Sequence, residues 1–165
     1  MRLFLILALF IYGCNSSSKP RNALTSAKEI DYTFDNGWKE AYSIKINSTG
    51  RCIVGDGRWD IKYYEGQLSE IDIRSLDSLI QNTSLKQFDS TYNEDIPDQS
   101  SYKIVLVESG KDTITRFVYG RKAPKMLNDF SNYLRKTKER LSTSSSDTVV
   151  NFISRKNFYP PAIPK

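Results

Sequence analysis

The patterning of apolar residues predicts an α+β domain: an antiparallel sheet of 4–5 strands in the order β-β-α-β-β-α, with two helices packed on one face. Apolar residues alternate with polar ones in two separated blocks, the signature of half-buried strands, and each block is followed by a stretch with apolar residues at helical spacing. Of the 165 residues, 39% are hydrophobic and 26% charged, with 24 basic against 19 acidic side chains, as expected of one folded domain with short extensions rather than a disordered chain. Grouping strands and helices in this way favours an antiparallel sheet with both helices on one side.

Ile30, Tyr32 and Phe34 read as the first strand, ended by Asp35-Asn36-Gly37. Tyr42, Ile44 and Ile46 form the second. Asn47-Ser48-Thr49-Gly50 is turn chemistry, with Gly50 suited to positive φ, and Cys52 and Val54 follow. Gly55-Asp56-Gly57 reads as an interruption before a continuation through Trp59, Ile61 and Tyr63. Ser69 and Asp72 are placed to cap a helix, Leu68 and Ile73 to staple it, and Ile73, Leu76, Leu79 and Ile80 share one face up to a stop near Asn82. A loop over 89–101 leads to a second hairpin: Tyr102, Ile104 and Leu106, a turn at Glu108-Ser109-Gly110-Lys111, then Ile114, Phe117 and Tyr119. Val105 and Val107 fill the alternate face, which predicts a strand covered on both sides. Pro124 suits a helix start, and Leu127, Phe130, Leu134 and Leu141 define its stripe. Tyr42, Ile44, Ile46, Gly50 and Arg51 are echoed by Tyr102, Ile104, Leu106, Gly110 and Lys111, which suggests a duplicated unit.

The N-terminus carries an address. Arg2 precedes the apolar run from Leu3 to Tyr12, half the roughly 20 residues that a spanning helix needs, so residues 1–13 read as a cleavable signal peptide. The junction Ile11-Tyr12-Gly13-Cys14 resembles the lipobox of bacterial lipoproteins. That resemblance implies lipid attachment at Cys14, a lipidated N-terminus with a polar tether over 14–28, and an anchor in the bacterial cell envelope. Asn15, which is not the aspartate that goes with inner-membrane retention, points to the outer membrane. The domain itself is assigned to 29–141. Residues 142–165 are a Ser/Thr linker and a Pro-rich tail, in which 149–153 is expected to add an edge strand; the other reading is a tail that awaits a partner binding extended peptides.

Chemistry is constrained by what is missing. With no histidine, His-based triads and His-ligated metals are excluded. Acylation of Cys14 leaves Cys52 as the remaining thiol; it reads as a small buried apolar residue with no base to activate it. Asp89, Glu94, Asp95 and Asp98, with Asp56 and Asp60, are clustered acids, but their spacing lacks the regularity of a calcium loop and they read as solvated turns. Arg121, Lys122, Lys125, Arg135, Lys136, Lys138 and Arg140 concentrate on helix two and its approach; they read as a solvated face, with anionic lipid headgroups as the functional alternative. The ten tyrosines read as amphipathic sheet residues.

Tyr42-Ser43-Ile44-Lys45-Ile46, the Gly50 turn, Tyr64-Glu65-Gly66, and Phe88, Tyr92 and Asp95-Ile96-Pro97 resemble, over about 28–140, a family of uncharacterised lipoprotein-associated domains of Bacteroidota. Members often carry a Cys-x-x-Cys-Pro cluster where this chain has Gly37-Trp38-Lys39-Glu40-Ala41, so no redox or metal role carries over. The expected function is therefore a lipid-anchored envelope lipoprotein with a non-catalytic binding or structural domain. It would need no cofactor or metal and would not bind nucleic acid. Its contacts would be the membrane, through acylated Cys14, and an envelope protein or peptide. The alternatives are an inhibitor or immunity-type lipoprotein that blocks a secreted enzyme, and a carboxylate-dependent hydrolase.

Overall fold

A computed structural model describes residues 23–110 and 112–158. Cys14, the signal peptide, most of the tether, Lys111 and the final Pro-rich residues lie outside that range. Ten regular elements run in chain order: β1 (Ala27–Asp35), β2 (Ala41–Asn47), β3 (Arg51–Asp56), β4 (Lys62–Gln67), α1 (Glu70–Thr83), β5 (Thr91–Asn93), β6 (Ser101–Glu108), β7 (Thr113–Tyr119), α2 (Lys125–Arg140) and β8 (Thr143–Ser145). The strands form one 8-stranded sheet in the order β5-β7-β6-β1-β2-β3-β4-β8.

This corrects the expected fold. The sheet has eight strands rather than 4–5, and it is mixed, because β5 pairs parallel with β7 while the other neighbours are antiparallel. The order is β-β-β-β-α-β-β-β-α-β. Three differences account for the change. Trp59 stands in an exposed loop, and the expected continuation is a separate strand, β4, paired with β3. The loop 89–101 contains β5, three residues whose backbone completes the β7 edge. The Ser/Thr stretch supplies β8, which extends the other edge beside β4, whereas 149–153 adds no strand. β5 and β8 are too short for side-chain alternation to register, and their backbone hydrogen bonds do not depend on which side chains they carry.

β1 is the axis of the sheet, and the echoed hairpins flank it. Tyr32 pairs with Ile44 on one side and Ile104 on the other, Ile30 with Ile46 and Leu106, and Phe34 with Tyr42 and Tyr102. Together with Leu76 of α1 and Leu127, Phe130 and Leu134 of α2, all fully buried, these residues form the main core under both helices. Ser69 caps α1 by accepting from Asp72 N (3.1 Å), and Leu68 and Ile73 are buried beside it. Gly50 turns β2 into β3 at φ 80°, where a side chain would strain the backbone.

The opposite face is polar in sequence yet also buried. Asp31, Thr33 and Ser43 point away from the helices and are covered by the C-terminal segment, in which Phe152, Ser154 and Phe158 are buried. A sheet covered on both faces can bury polar residues only if each finds a partner. Asp31 accepts from Ile153 N (2.6 Å) and from Ser154 Oγ, and Lys45 Nζ stands 3.6 Å away. Thr33 Oγ1 bonds Ser43 Oγ (2.7 Å) and Ser154 Oγ (2.6 Å). At the tether exit, Asp77 of α1 accepts from Thr25 N and Ser26 N (both 2.9 Å) and from Thr25 Oγ1 (2.6 Å).

Candidate functional site

A small cleft of about 170 Å³ opens between the first turns of α2 and the sheet, where β1 ends, β6 begins and β7 gives way to Gly120 and Arg121. Gly120, at φ 93°, brings the chain back to the sheet through Gly120 N to Ser100 O (3.0 Å); a side chain there would collide with the Glu94 carboxylate. That carboxylate in turn accepts from Arg121 N (2.7 Å), which fixes the backbone beneath the Arg121 side chain. The cleft floor is tied by Tyr32 OH to Ser131 Oγ (2.6 Å) and by Tyr102 OH donating to Asn128 Oδ1 (2.9 Å), while Asn128 Nδ2 donates to Ala123 O (2.9 Å). Its groups are therefore held in place before any ligand arrives.

Two guanidiniums border this cleft. Arg135 lies 4.2 Å over the Phe34 ring, a cation–π contact, and its Nη2 is 3.6 Å from Glu40 Oε2. Its Nε is buried, and the guanidinium also bonds the Tyr42 side chain. Arg121 forms no side-chain ion pair among the described residues, and Asn132 adds an exposed amide beside it. The exposed Arg121 guanidinium and Asn132 amide therefore present donors that suit a small anionic group.

The phenols at and beneath the cleft are held neutral by burial. Burial drives the Tyr32 phenol well above its ordinary value, with the Tyr42 ring next in effect, and burial also raises Tyr102, helped by Tyr92. Tyr42 is raised by burial and then by Glu40. Phenols held this way stay neutral, whereas a general acid or base works best near the operating pH.

The cationic face expected of helix two is largely used up. Lys125 pairs with Asp129 (2.6 Å). Lys138 stands 3.6 Å from Asp56 and 4.7 Å from the Tyr42 ring centre. Arg140 reaches Asp72 (3.1 Å) and Tyr133. Lys138 and Arg140 fasten α2 to the sheet and to α1, Lys125 pairs within the helix, and Arg121, Lys122 and Lys136 are exposed with no salt bridge among the described residues. The acids do not converge. Asp89, Asp95 and Asp98 are exposed, Glu94 serves the β7 turn, and Asp56 and Asp60 lie toward the opposite lateral edge, beside β3, four strands from β7. Among the described residues no three acidic or cysteine side chains gather as a cation site. Cys52 is buried, and burial pushes its thiol up to about 12, with Asp72 adding to the rise, so it acts as a packing residue.

Sequence reasoning passed over two buried carboxylates. Asp35 receives Arg58 in a two-pronged pair, Nε to Oδ2 (2.7 Å) and Nη2 to Oδ1 (2.5 Å). Burial raises Asp31, and the bonds from Ser154 and Ile153 and the charge of Lys45 offset only part of the rise. The alternation that put Ile30, Tyr32 and Phe34 inward placed both on the opposite face; what it could not supply was the cover over that face. The prominent exposed aromatics are Trp38 and Trp59, on neighbouring loops, rather than tyrosines.

The model of a domain of unknown function, DUF6438, matches residues 37–138, more than half of the chain. The chain belongs to the DUF6438 family. The matched span of this DUF6438 domain includes Tyr102, Arg121, Asn128 and Arg135 of the cleft; β1, β8 and the C-terminal segment lie outside it. No curated protein matches the chain. Among the described residues no helix is long and apolar enough to cross a membrane.

Proposed function

We propose that this protein is a lipid-anchored lipoprotein of the bacterial cell envelope with two working parts: an acylated Cys14 that holds it on the membrane, and a DUF6438 domain that binds a small anionic group without catalysis. The observation that carries the binding half is the cleft beside Arg121 and Arg135, where the exposed Arg121 guanidinium, in no salt bridge among the described residues, meets a floor already fixed by hydrogen bonds. The anchor half rests on the ten-residue apolar run ending in Ile11-Tyr12-Gly13-Cys14, since a short run of this kind suits a signal peptide. More than one acyl chain on Cys14 would make membrane attachment durable. Neutral phenols in the cleft and a buried Cys52 thiol support binding over turnover.

The binding half is tested by titrating the protein with succinate and, separately, with inorganic phosphate, following amide shifts of Gly120, Arg121 and Asn132. Saturable shifts confined to the cleft, lost in Arg121→Ala and weakened in Arg135→Lys, are expected. Arg135→Lys keeps the charge but loses the planar group stacked on Phe34. Shifts spread over all lysines and arginines alike would contradict a built site.

A further inference from the structure

The sheet face opposite the helices presents one row of side chains running across six strands. Register places Tyr63 of β4 beside Gly55 of β3, Gly55 beside Ser43 of β2, Ser43 beside Thr33 of β1, Thr33 beside Lys103 of β6, and Lys103 beside Phe117 of β7. Residues 152–158 cross this row from end to end. The Phe152 ring stacks on Tyr63 (centroids 6.4 Å, planes 4° apart) directly over Gly55. Ser154 Oγ bonds Thr33, Lys103 Nζ donates to Lys156 O (2.7 Å), and Phe158 meets Phe117 edge-on at 6.0 Å.

We propose that this row is a peptide-binding groove, and that residues 152–158 are its resident and exchangeable occupant. The polar ties have the character of peptide recognition. Lys45 Nζ donates to Asn151 O (3.0 Å), Asp31 accepts from Ile153 N, and Lys103 Nζ donates to Lys156 O. These are sheet side chains gripping the main chain of the segment, which turns through a short 3-10 helix at Ile153–Arg155 and a left-handed Asn157, so the groove holds a backbone of that turned shape. Specificity falls to four side chains: Phe152 and Phe158 at the two ends, Ser154 buried against Asp31 and Thr33, and Arg155, whose Nη2 donates to Gly57 O (2.8 Å) and Arg58 O (3.0 Å). The link between β8 and the occupant, residues 147–149, is exposed and without regular structure. The partner that fits is a peptide of the pattern Phe-x-Ser-Arg-x-x-Phe that takes up the same turn and competes with the protein's own copy. This inference is independent of the cleft near Arg121.

The test uses the full chain with a protease recognition sequence inserted between Thr148 and Val149, before and after cleavage, and a fluorescein-labelled synthetic peptide of residues 149–158 read by anisotropy. After cleavage the protein keeps its circular dichroism and takes up the labelled peptide saturably. Uncut protein binds it at least about 100-fold more weakly, because the tethered tail competes at an effective concentration in the millimolar range. Peptides carrying Phe152→Ala or Ser154→Ala bind at least about tenfold more weakly. Unfolding on cleavage, or a tail that never exchanges, would make the segment a permanent part of the core and overturn the proposal, as would equal binding of the variant peptides.

Discussion

Replacing Gly55 by alanine probes the least expected packing in the molecule. Gly55 lies within β3 at ordinary extended φ, so the backbone tolerates a side chain; the space does not. A Cβ built there falls 2.7 Å from Phe152 Cε2, 3.2 Å from Phe152 Cζ and 3.1 Å from Ile61 Cγ2. A ring that is 3% exposed and stacked on Tyr63 has little room to retreat. Overpacking of this kind costs about 1–3 kcal/mol. The loss is capped, because Phe152 rides on a terminal segment that can lift away, and burying a phenylalanine contributes about 1.5–3 kcal/mol. Alanine in a strand regains roughly 0.5–1 kcal/mol over glycine. The net is a loss of about 1–2 kcal/mol, concentrated in residues 151–158. Amide hydrogen exchange reads this directly: the Ile153 amide, bonded to Asp31, should exchange about 5- to 30-fold faster, with Ile44 at the centre of the sheet much less affected. In a Phe152→Ala background the cost of Gly55→Ala should largely vanish. Unchanged Ile153 protection, or the same loss with and without the Phe152 ring, would refute the reasoning.

Three further outcomes follow from the same geometry. Leu76→Ala and Phe130→Ala, at fully buried positions on the two helix stripes, should each cost about 2–5 kcal/mol in urea unfolding, and an unchanged midpoint would show the helical phase to be wrong. Asp31 is held above the ordinary aspartate range by burial, so the native state binds its proton more tightly than the unfolded chain; the stability it contributes is full below that range and is lost as pH rises through the raised value. Asp31→Asn should therefore lag the parent more at about pH 3.5 than at about pH 7.5, and a gap that widens toward neutrality contradicts this. Asp77 has the opposite sign: burial raises it, but the combined bonds from Thr25 and Ser26 leave it lowered, so its contribution is present at neutral pH and lost on acidification. Asp77→Asn should narrow its deficit as pH falls, measured by the same urea titrations.

Much of the helix-side core was legible because it follows local periodicity. The run Ile30, Tyr32, Phe34, the matching Tyr42 and Tyr102 series, the Ser69 cap and the α2 stripe all repeat within one strand or a few helical turns. The edges were not legible, since β5 and β8 are three residues each and rest on backbone pairing alone. Nor was the second buried face, because the cover over Asp31 and Thr33 comes from Ser154, more than 120 residues away in sequence. A polar residue opposite an apolar one normally reads as solvated, and only the long-range contact reverses that. Gly55 illustrates the point: with Asp56 and Gly57 it looks like a break, whereas β3 continues through it to make room for Phe152. The cleft was legible in part. Arg121 and Arg135 stand out as basic residues, but composition cannot separate a guanidinium at a cleft from Lys138 and Arg140, which are committed to Asp56 and Asp72.

Metabolic labelling with an alkyne fatty acid tests the anchoring of this domain most directly. In bacteria expressing the full chain, label should enter the wild-type protein and sediment with membranes, while Cys14→Ser should carry none and should remain soluble or as an unprocessed precursor. Equal label in both would contradict the lipoprotein account.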